Sequence, residues 1–410
     1  MVAAGHAHAD FTIGFPFGVP PEIQLNGSSF HDWSVRLTQM GGQAGSMFYD
    51  QTQNIQNGFQ TTFRFNITPG NVIAGDGFAL VIHHDAAGED ALGGGGSSLG
   101  YGGGNSISSG IAIEFDTFWF SGEFEGYHVS VQGVDANGFI SEQDADSLGH
   151  VVLDPDIGDP SLLGYHEGHV EYDPSVNGEP GTLRVFIDNI QVLSIGIDLG
   201  NFGASNASAF NQSGEAYVGF TASTGLADSA HEIESWAFFG DTGGACLPPA
   251  GFIGFWGGCG IGCQEFAGVT VLGSRPMTYD WSKDGTPITD DEGGRITGLG
   301  TPSITVFDFT VADRGQYNVI ATNSCGMLDG GTFPLGGEPC DSIDFNNDGG
   351  FFDPVDIDAL LSVFAEGPCI PETATCNDID FNNDNSLFDP CDIDSYLVVF
   401  AEGPCTPCGQ

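Results

Sequence analysis

Between Phe11 and about Gly240, apolar and polar residues alternate in short runs separated by turn residues. That is the period-2 pattern of half-buried strands. Thr61–Ile67, Gly77–His83, Ile111–Phe115 and Val129–Val131 read as strands, as do Val170–Tyr172, Leu183–Ile187, Val192–Ile197, Tyr217–Thr221 and Trp236–Phe239. Asn137-Gly138 and Asn177-Gly178 are expected hairpin turns. Long helical periodicity is absent. The alternation, with its β-branched and aromatic content, predicts a mainly β protein that opens with a two-sheet sandwich over residues 11–241. The texture changes from Cys246 to Leu335, taken as a second domain over residues 246–335. It changes again over residues 340–410, where two short apolar stretches, Ala359–Phe364 and Ser395–Phe400, predict a small α-helical tail.

Composition confirms that these runs can bury cores. The chain has 410 residues, is 40% hydrophobic and contains 33 Phe, which is too apolar for a disordered chain. It is also long enough for two or three domains. Charge narrows the partners: 55 Asp and Glu face 7 Lys and Arg, giving a formal net charge of -48. Phosphate contacts need clustered cations, so nucleic acid is an unsuitable partner. Divalent cations suit such a chain. No run approaches the roughly 20 apolar residues of a membrane helix.

Ten cysteines, all from Cys246 onward, point to disulfides and an oxidising compartment. The opening MVAAGHAHAD, with Ala-x-Ala at Ala7–Ala9, reads as the residual end of a truncated signal peptide over residues 1–10. The protein is therefore expected to be secreted or held at the cell surface.

The tail contains an internal repeat. Asp344-Phe-Asn346-Asn-Asp348-Gly349, followed by Asp353 and Asp356, recurs 36 residues later as Asp380-Phe-Asn382-Asn-Asp384-Asn385, followed by Asp389 and Asp392. Oxygen ligands at positions 1, 3 and 5, a residue tolerant of positive φ at 6 and a closing carboxylate are what calcium needs. The closing Asp356 stands at position 13, one beyond the EF-hand spacing, and Asp353 is a further ligand candidate at position 10. The pair resembles the duplicated calcium loops of dockerins, in particular the dockerin-like tails of planctomycete secreted proteins. That likeness implies a cohesin-like partner, or a sorting or docking role. Cysteines follow the same offset: Cys340–Cys369 and Cys376–Cys405 are expected to clasp one repeat each, leaving Cys391 and Cys408 to pair.

The middle segment carries Trp281 within Tyr279-Asp-Trp-Ser-Lys283, then Asp313-Arg-Gly315-Gln-Tyr317 and Asn323-Ser-Cys325-Gly326. This resembles an immunoglobulin-like domain of bacterial type, in which the tyrosine hydroxyl bonds back to the chain. Val319 occupies the place of the usual core cysteine. The resemblance implies a Cys263–Cys325 bridge, with Cys246–Cys259 as the remaining pair, and a spacer role.

The sandwich carries five motifs in order. They are Leu25-Asn26-Gly27-Ser28, Gly75-Asp76-Gly77-Phe78-Ala79, the glycine run Gly93–Tyr101, Ile113-Glu114-Phe115-Asp116-Thr117-Phe118, and Val218–Gly225 with His231-x-Ile-x-Ser235-Trp236. The series resembles the L-type, legume-like lectins and implies a concanavalin-like jelly roll that binds a glycan or polysaccharide. A sugar needs a fixed acceptor for its hydroxyls, backbone donors at close range and a flat apolar face. Asp76 supplies the acceptor. The Gly93–Gly96 loop lets main chain approach without a Cβ, through Gly96 and Ser97. Phe118 to Phe120 offer the apolar face, and the loop Gly225–Ser229, with Leu226 and Ala227, borders the pocket.

By the same resemblance Glu114, Asp116 and His128 are metal residues, with the Phe118 carbonyl as a further oxygen. Calcium would shape the loops, and a second divalent metal such as Mn2+ would share ligands from the same strand. The chain departs from the family where Phe120 replaces an asparagine, and Glu123 or Glu125 must stand in for a bridging aspartate.

Two other functions are open to such a sandwich. Glycoside hydrolases on this sandwich use E-x-D-x-E, and retaining chemistry needs two carboxyls about 5–5.5 Å apart. Here the third position is Phe118, which leaves a metal strand and no acid–nucleophile pair, so an enzyme is not expected. A surface or fibre subunit that keeps the sandwich as scaffold is the alternative. His83-His84-Asp85 and His166-x-x-His169 are read as ordinary surface pairs.

Overall fold

The computed structural model describes residues 10–15, 18–70, 75–118, 124, 126–153, 165–175, 179–199, 214–258, 264–335, 345–346, 354–365, 393 and 396. The first sandwich begins with β1 (Phe11–Gly14), β2 (Ile23–Gly27), β3 (Phe30–Asp32), β4 (Ser34–Thr38), β5 (Ala44–Tyr49) and β6 (Gln53–Asn54). Next come β7 (Phe59–Pro69), β8 (Gly77–His83), β9 (Gly110–Asp116), β10 (His128–Gln132) and β11 (Ser147–Val152). It closes with β12 (Tyr165–Asp173), β13 (Gly181–Ile187), β14 (Ile190–Ile197), β15 (Glu215–Ser223) and β16 (Ser229–Gly240). One sheet runs β14-β13-β12-β7-β16-β4-β3 with β1 on β16. The other runs β11-β10-β9-β8-β15-β5-β2 with β6 on β15.

Each of the nine strands read from alternation lies within one of these elements. The strands β1 to β6 and β11, of two to six residues, escaped that reading, because most leave too few periods to count. Asn137-Gly138 does turn the chain, with Gly138 N–H donating to the Asp135 carbonyl at 3.0 Å. Asn177-Gly178 lies outside the described residues.

Aromatic residues fill the space between the sheets. Phe63 of β7 meets Phe220 of β15 at 4.9 Å and Phe115 of β9 at 5.8 Å, both edge-on. Phe78 of β8 stacks on Phe115 at 4.7 Å, and Phe220 meets Trp236 of β16 at 5.0 Å. Edge-to-face and offset contacts of this kind add to the area burial of the rings. The core ring Trp236 also donates its indole N–H to Thr61 Oγ1 at 2.9 Å.

On the opposite face of β7, Gln60, Thr62 and Arg64 carry polar groups that are also buried. Arg64 pairs with Glu234 and lies 4.2 Å over the Tyr165 ring. Burial acts on both members, pushing the Arg64 pKa down and the Glu234 pKa up against their mutual attraction. His169 accepts from or donates to Thr62 Oγ1 at 2.8 Å and is fully buried, with its pKa pushed to about 4, chiefly by desolvation. His83 is likewise fully buried at the end of β8, edge-on to Phe48 and stacked on Tyr217. These two are core histidines, which corrects the surface reading: sequence neighbours such as Asp85 concealed that β8 and β12 are interior strands. His166 pairs with Asp188 at 2.6 Å.

Two four-stranded sheets follow, built from β17 (Ala250–Gly258), β18 (Glu265–Leu272), β19 (Thr278–Lys283), β20 (Thr286–Pro287), β21 (Ile296–Thr297), β22 (Ser303–Val306), β23 (Gly315–Asn323) and β24 (Gly326–Leu335). Their orders are β17-β18-β22-β21 and β20-β19-β23-β24. Trp281, Tyr317 and Val319 are buried here. Tyr317 donates its hydroxyl to the Asp313 carbonyl at 2.8 Å, the expected corner. Arg295 grips the Asp313 carboxylate through two bonds of 2.8 and 2.9 Å.

The disulfide is Cys246–Cys325, closing 79 residues with Cα atoms 6.1 Å apart. This overturns the Cys263–Cys325 and Cys246–Cys259 pairings. The cause is a long-range contact: Asn323 Nδ2 donates to the carbonyls of Leu247 and Ser274 at 2.8 and 2.9 Å, holding the Cys325 turn against the segment after Cys246. Cys259, Cys263, Cys340, Cys369, Cys376, Cys391, Cys405 and Cys408 lie outside the described residues. In the tail, α1 (Pro354–Phe364) begins with a proline, which suits a first helical position. Phe345, Ala359, Leu360 and Tyr396 form a small core. Leu360 and Tyr396 are 36 residues apart, so equivalent positions of the two repeats meet.

Arg64→Met is expected to lose about 3–5 kcal/mol by stranding the buried Glu234 charge. Arg64→Met with Glu234→Leu should recover most of that loss, as read from urea unfolding midpoints. Equal losses in the single and double variants would contradict the pairing.

Candidate functional site

Asp76 stands just before β8 and is 5% exposed. The Gly75–Asp76 peptide is cis. Backbone bonds fix the residue on both sides: its N–H donates to the Ser223 carbonyl at 3.3 Å, and its carbonyl accepts from Thr117 N–H at 2.9 Å and Thr117 Oγ1 at 3.0 Å. Gly75 N–H donates to Ser229 Oγ at 3.0 Å. The carboxyl therefore has little freedom. Gly225 N–H donates to it, yet Oδ2 is buried without a hydrogen-bond partner among the described residues. Burial raises the Asp76 pKa to about 6, with the Gly225 bond opposing the rise.

Three loops converge on this carboxyl. A Cβ placed on Gly225 would stand 3.3 Å from Asp76 Oδ2 and 3.4 Å from the Cα of Gly96. A Cβ on Gly75 would stand 2.6 Å from Phe118 Cβ and 2.8 Å from Ala227 Cβ. The structure thus brings Asp76, Gly96, Phe118 and Ala227 together, with glycine required at 75, where φ is +155°, and a tight fit at 225. Ser97 follows Gly96 in a short 3-10 turn, Gly96–Ser98. Leu226 is fully exposed at the rim.

Tethers to β15 set the glycine loop: Ser223 Oγ donates to the Gly96 carbonyl at 2.6 Å and Thr221 Oγ1 to the Leu99 carbonyl at 2.8 Å. The loop also folds on itself, through Gly93 N–H to Gly100 O at 2.6 Å and Gly94 N–H to Gly102 O at 2.7 Å. A third segment walls the site where Gly42 N–H donates to the Gly225 carbonyl at 3.1 Å. Sequence reasoning placed Ser229 at the pocket border but missed Thr221 and Ser223, and their alternation on β15 was the available signal.

Glu114 and Asp116 occupy one face of β9, as alternation requires. Register sets Asp116 opposite His128 and Glu114 opposite Ser130. The Asp116 carboxylate accepts from Phe118 N–H at 2.8 Å. His128 is buried, with Nδ1 3.2 Å from the Gly126 carbonyl.

Glu114 is engaged differently from the expected metal ligand. Tyr101 donates its hydroxyl to Oε1, while Ser130 Oγ and Gln132 Nε2 (3.0 Å) donate to Oε2. Burial raises the Glu114 pKa against these donors and keeps the Tyr101 hydroxyl protonated.

Among the described residues, no three His, Cys, Asp or Glu side chains form a group able to hold a metal ion. Phe120, Glu123 and Glu125 lie outside those residues, as do Asp344, Asp348, Asp353, Asp380, Asn382, Asp384, Asp389 and Asp392. The described residues therefore do not assemble a metal site by themselves. In the tail, Asn346 and Asp356 are both buried, and Asn346 N–H points at Asp356 Oδ1 over 3.5 Å.

A buried acceptor ringed by glycine backbone, at one end of a concanavalin-like sandwich, defines the class of L-type lectins. The legume lectin domain profile matches residues 13–245, more than half of the chain, and the chain belongs to that family. An immunoglobulin I-set domain follows at residues 263–329. The chain is 30% identical over 209 residues to the "Probable L-type lectin-domain containing receptor kinase S.7" of Arabidopsis thaliana, covering 47% of this chain and 27% of that relative. It thus spans about a quarter of the relative's length.

Among solved structures, the lectin from Bauhinia forficata in complex with GalNAc is 23% identical with a TM-score of 0.43, over 57% of this chain and 100% of that one. The VIP36 exoplasmic/lumenal domain, in its Ca2+/Man3GlcNAc-bound form, is 22% identical with a TM-score of 0.41, over 56% of this chain and 89% of that one. No helix among the described residues is long and apolar enough to cross a membrane.

Because the folded pKa of Asp76 lies above its ordinary value of 3.8, its charged form opposes folding. That cost is present above about pH 6 and fades as pH falls toward 4. Asp76→Asn is therefore expected to hold or raise the wild-type melting temperature at pH 7.5. A melting temperature several degrees lower would contradict this placement of the carboxyl.

Proposed function

We infer that the protein is a secreted, calcium-dependent lectin. Its sandwich binds a glycan at Asp76, its immunoglobulin-like domain acts as a spacer, and its tail docks or sorts the chain. One observation carries the sugar reading: Asp76 Oδ2 is buried without a partner among the described residues, and the glycine at 225 stands close beside it. An acceptor left unpaired in a protein costs about 1–3 kcal/mol, so a ligand that donates to it recovers that loss. Vicinal sugar hydroxyls are donors of the right spacing. Main chain at Gly96 and Ser97 can approach the ring, and Phe118, half-buried beside Gly75, offers an apolar face.

Calcium enters the reading twice. Beside the sugar site it rests on the family likeness, with Asp116, the Phe118 carbonyl and Glu123 or Glu125 as the oxygens. In the tail it rests on the repeated ligand spacing and on the burial of Asp356. A cohesin-like partner, or a cell-surface one, fits the docking role.

A glycan array with the full chain, run in calcium and again in EDTA, tests the sugar reading. Calcium-dependent binding that Asp76→Ala removes is expected. A folded wild type that binds no glycan would move the reading to a scaffold or fibre subunit. Binding should also weaken about tenfold per unit as pH falls below about 6, where Asp76 protonates.

For the tail, calcium at about 100 times its Kd should stabilise the loops by about 2.7 kcal/mol. Calorimetric titration of wild type against Asp356→Ala should show fewer calcium ions bound in the variant. An unchanged stoichiometry would remove Asp356 from the ligands.

A further inference from the structure

Glu114 is the residue whose surroundings depart most from its expected role. Its side chain is buried on β9, and three side chains of the same chain donate to it from two directions. Ser130 and Gln132 reach it from β10, where alternation places them with His128 on one face. Tyr101 reaches it from the end of the glycine loop. Both carboxyl oxygens are thereby occupied by neutral donors of fixed position. Gln132 Nε2 also donates to Ser130 Oγ at 3.0 Å, which ties the two β10 donors to each other.

Tyr101 is the hinge of this arrangement. It is fully buried, and its backbone belongs to the loop that carries Gly96. Its N–H donates to the Ser98 carbonyl at 3.0 Å and its carbonyl accepts from Ile107 N–H at 2.8 Å. The hydroxyl thus connects the sugar-facing loop to β9, two residues before Asp116 on the same face of the strand.

We propose that Tyr101, Glu114, Ser130 and Gln132 form a metal-free clamp, in which Glu114 is no ligand of a transition metal and acts with Tyr101 as a positioning residue for the glycine loop. The proposal rests on the sugar reading for its purpose but not for its geometry. Three hydrogen bonds hold the carboxyl where a divalent ion would otherwise be needed to balance it. Bonds to a charged acceptor are the stronger kind. A metal arriving at Oε2 would compete with Ser130 and Gln132, and one arriving at Oε1 would compete with Tyr101, so either would set itself against buried donors already in place.

The test uses the full chain in excess calcium, which fills the acidic loops. Electron paramagnetic resonance of added Mn2+ is expected to give the free-ion spectrum with wild type. Tyr101→Phe keeps the ring and removes the hydroxyl. It should speed hydrogen exchange at the Gly94, Leu99 and Gly100 amides about tenfold while leaving β8 and β9 amides unchanged. It should also weaken binding of the array glycan about tenfold.

A stoichiometric Mn2+ signal that Glu114→Gln abolishes would overturn the clamp. So would loop exchange in Tyr101→Phe equal to that of wild type. Resonance and exchange read without sugar, so an array on which nothing binds would sink the lectin reading and still leave the clamp decided.

Discussion

The sugar-facing end of this protein depends on keeping one carboxyl out of water without giving it a full set of protein partners. Asp76 is pinned through its backbone by Ser223 and Thr117, and through Gly75 by Ser229, and its side chain is buried. Any Cβ at position 225 would crowd its oxygen, and any Cβ at 75 would collide with Phe118 and Ala227. The sequence around the site follows from that constraint: glycine where loops approach, and serine or threonine where loops must be tethered. The site is built at a cost to stability, and that cost is the usual mark of a group held ready for a ligand.

Charge is managed by a similar economy. A chain with 55 acidic residues and 7 basic ones cannot pair most of its carboxylates. Several arginines are each held by acidic partners instead. Arg36 meets Glu232 at 2.5 Å, Arg64 meets Glu234, Arg184 meets Glu171 at 2.7 Å and also Asp173, and Arg295 holds Asp313. Those pairs sit within the β domains. The tail has no cation of its own beyond Arg314, and there the repeated aspartates depend on calcium in the proposed reading.

Much of this was legible in the residues. β8 and β9 could be read because seven-residue alternating runs are long enough to show a period, and Asp76 and the glycine run stood in recognisable order. The tyrosine corner was legible too, since Asp313 and Tyr317 are four residues apart and act locally. What stayed hidden was non-local. Nothing near Tyr101 in the chain announces that its hydroxyl meets Glu114, because that contact depends on how the glycine loop folds over β9. The Cys246–Cys325 bridge was misassigned for the same reason: Asn323, not cysteine spacing, decides which segments meet. His83 and His169 looked exposed beside polar neighbours and are buried because their strands lie at the centre of sheets.

The most direct measurement is a crystal structure of the protein with a monosaccharide taken from its strongest array ligand. Two adjacent hydroxyls within hydrogen-bond distance of the Asp76 carboxyl, backbone of the Gly96 loop against the ring and Phe118 on its apolar face are the predicted result. A sugar bound elsewhere, with Asp76 Oδ2 still unpaired, would contradict the central claim.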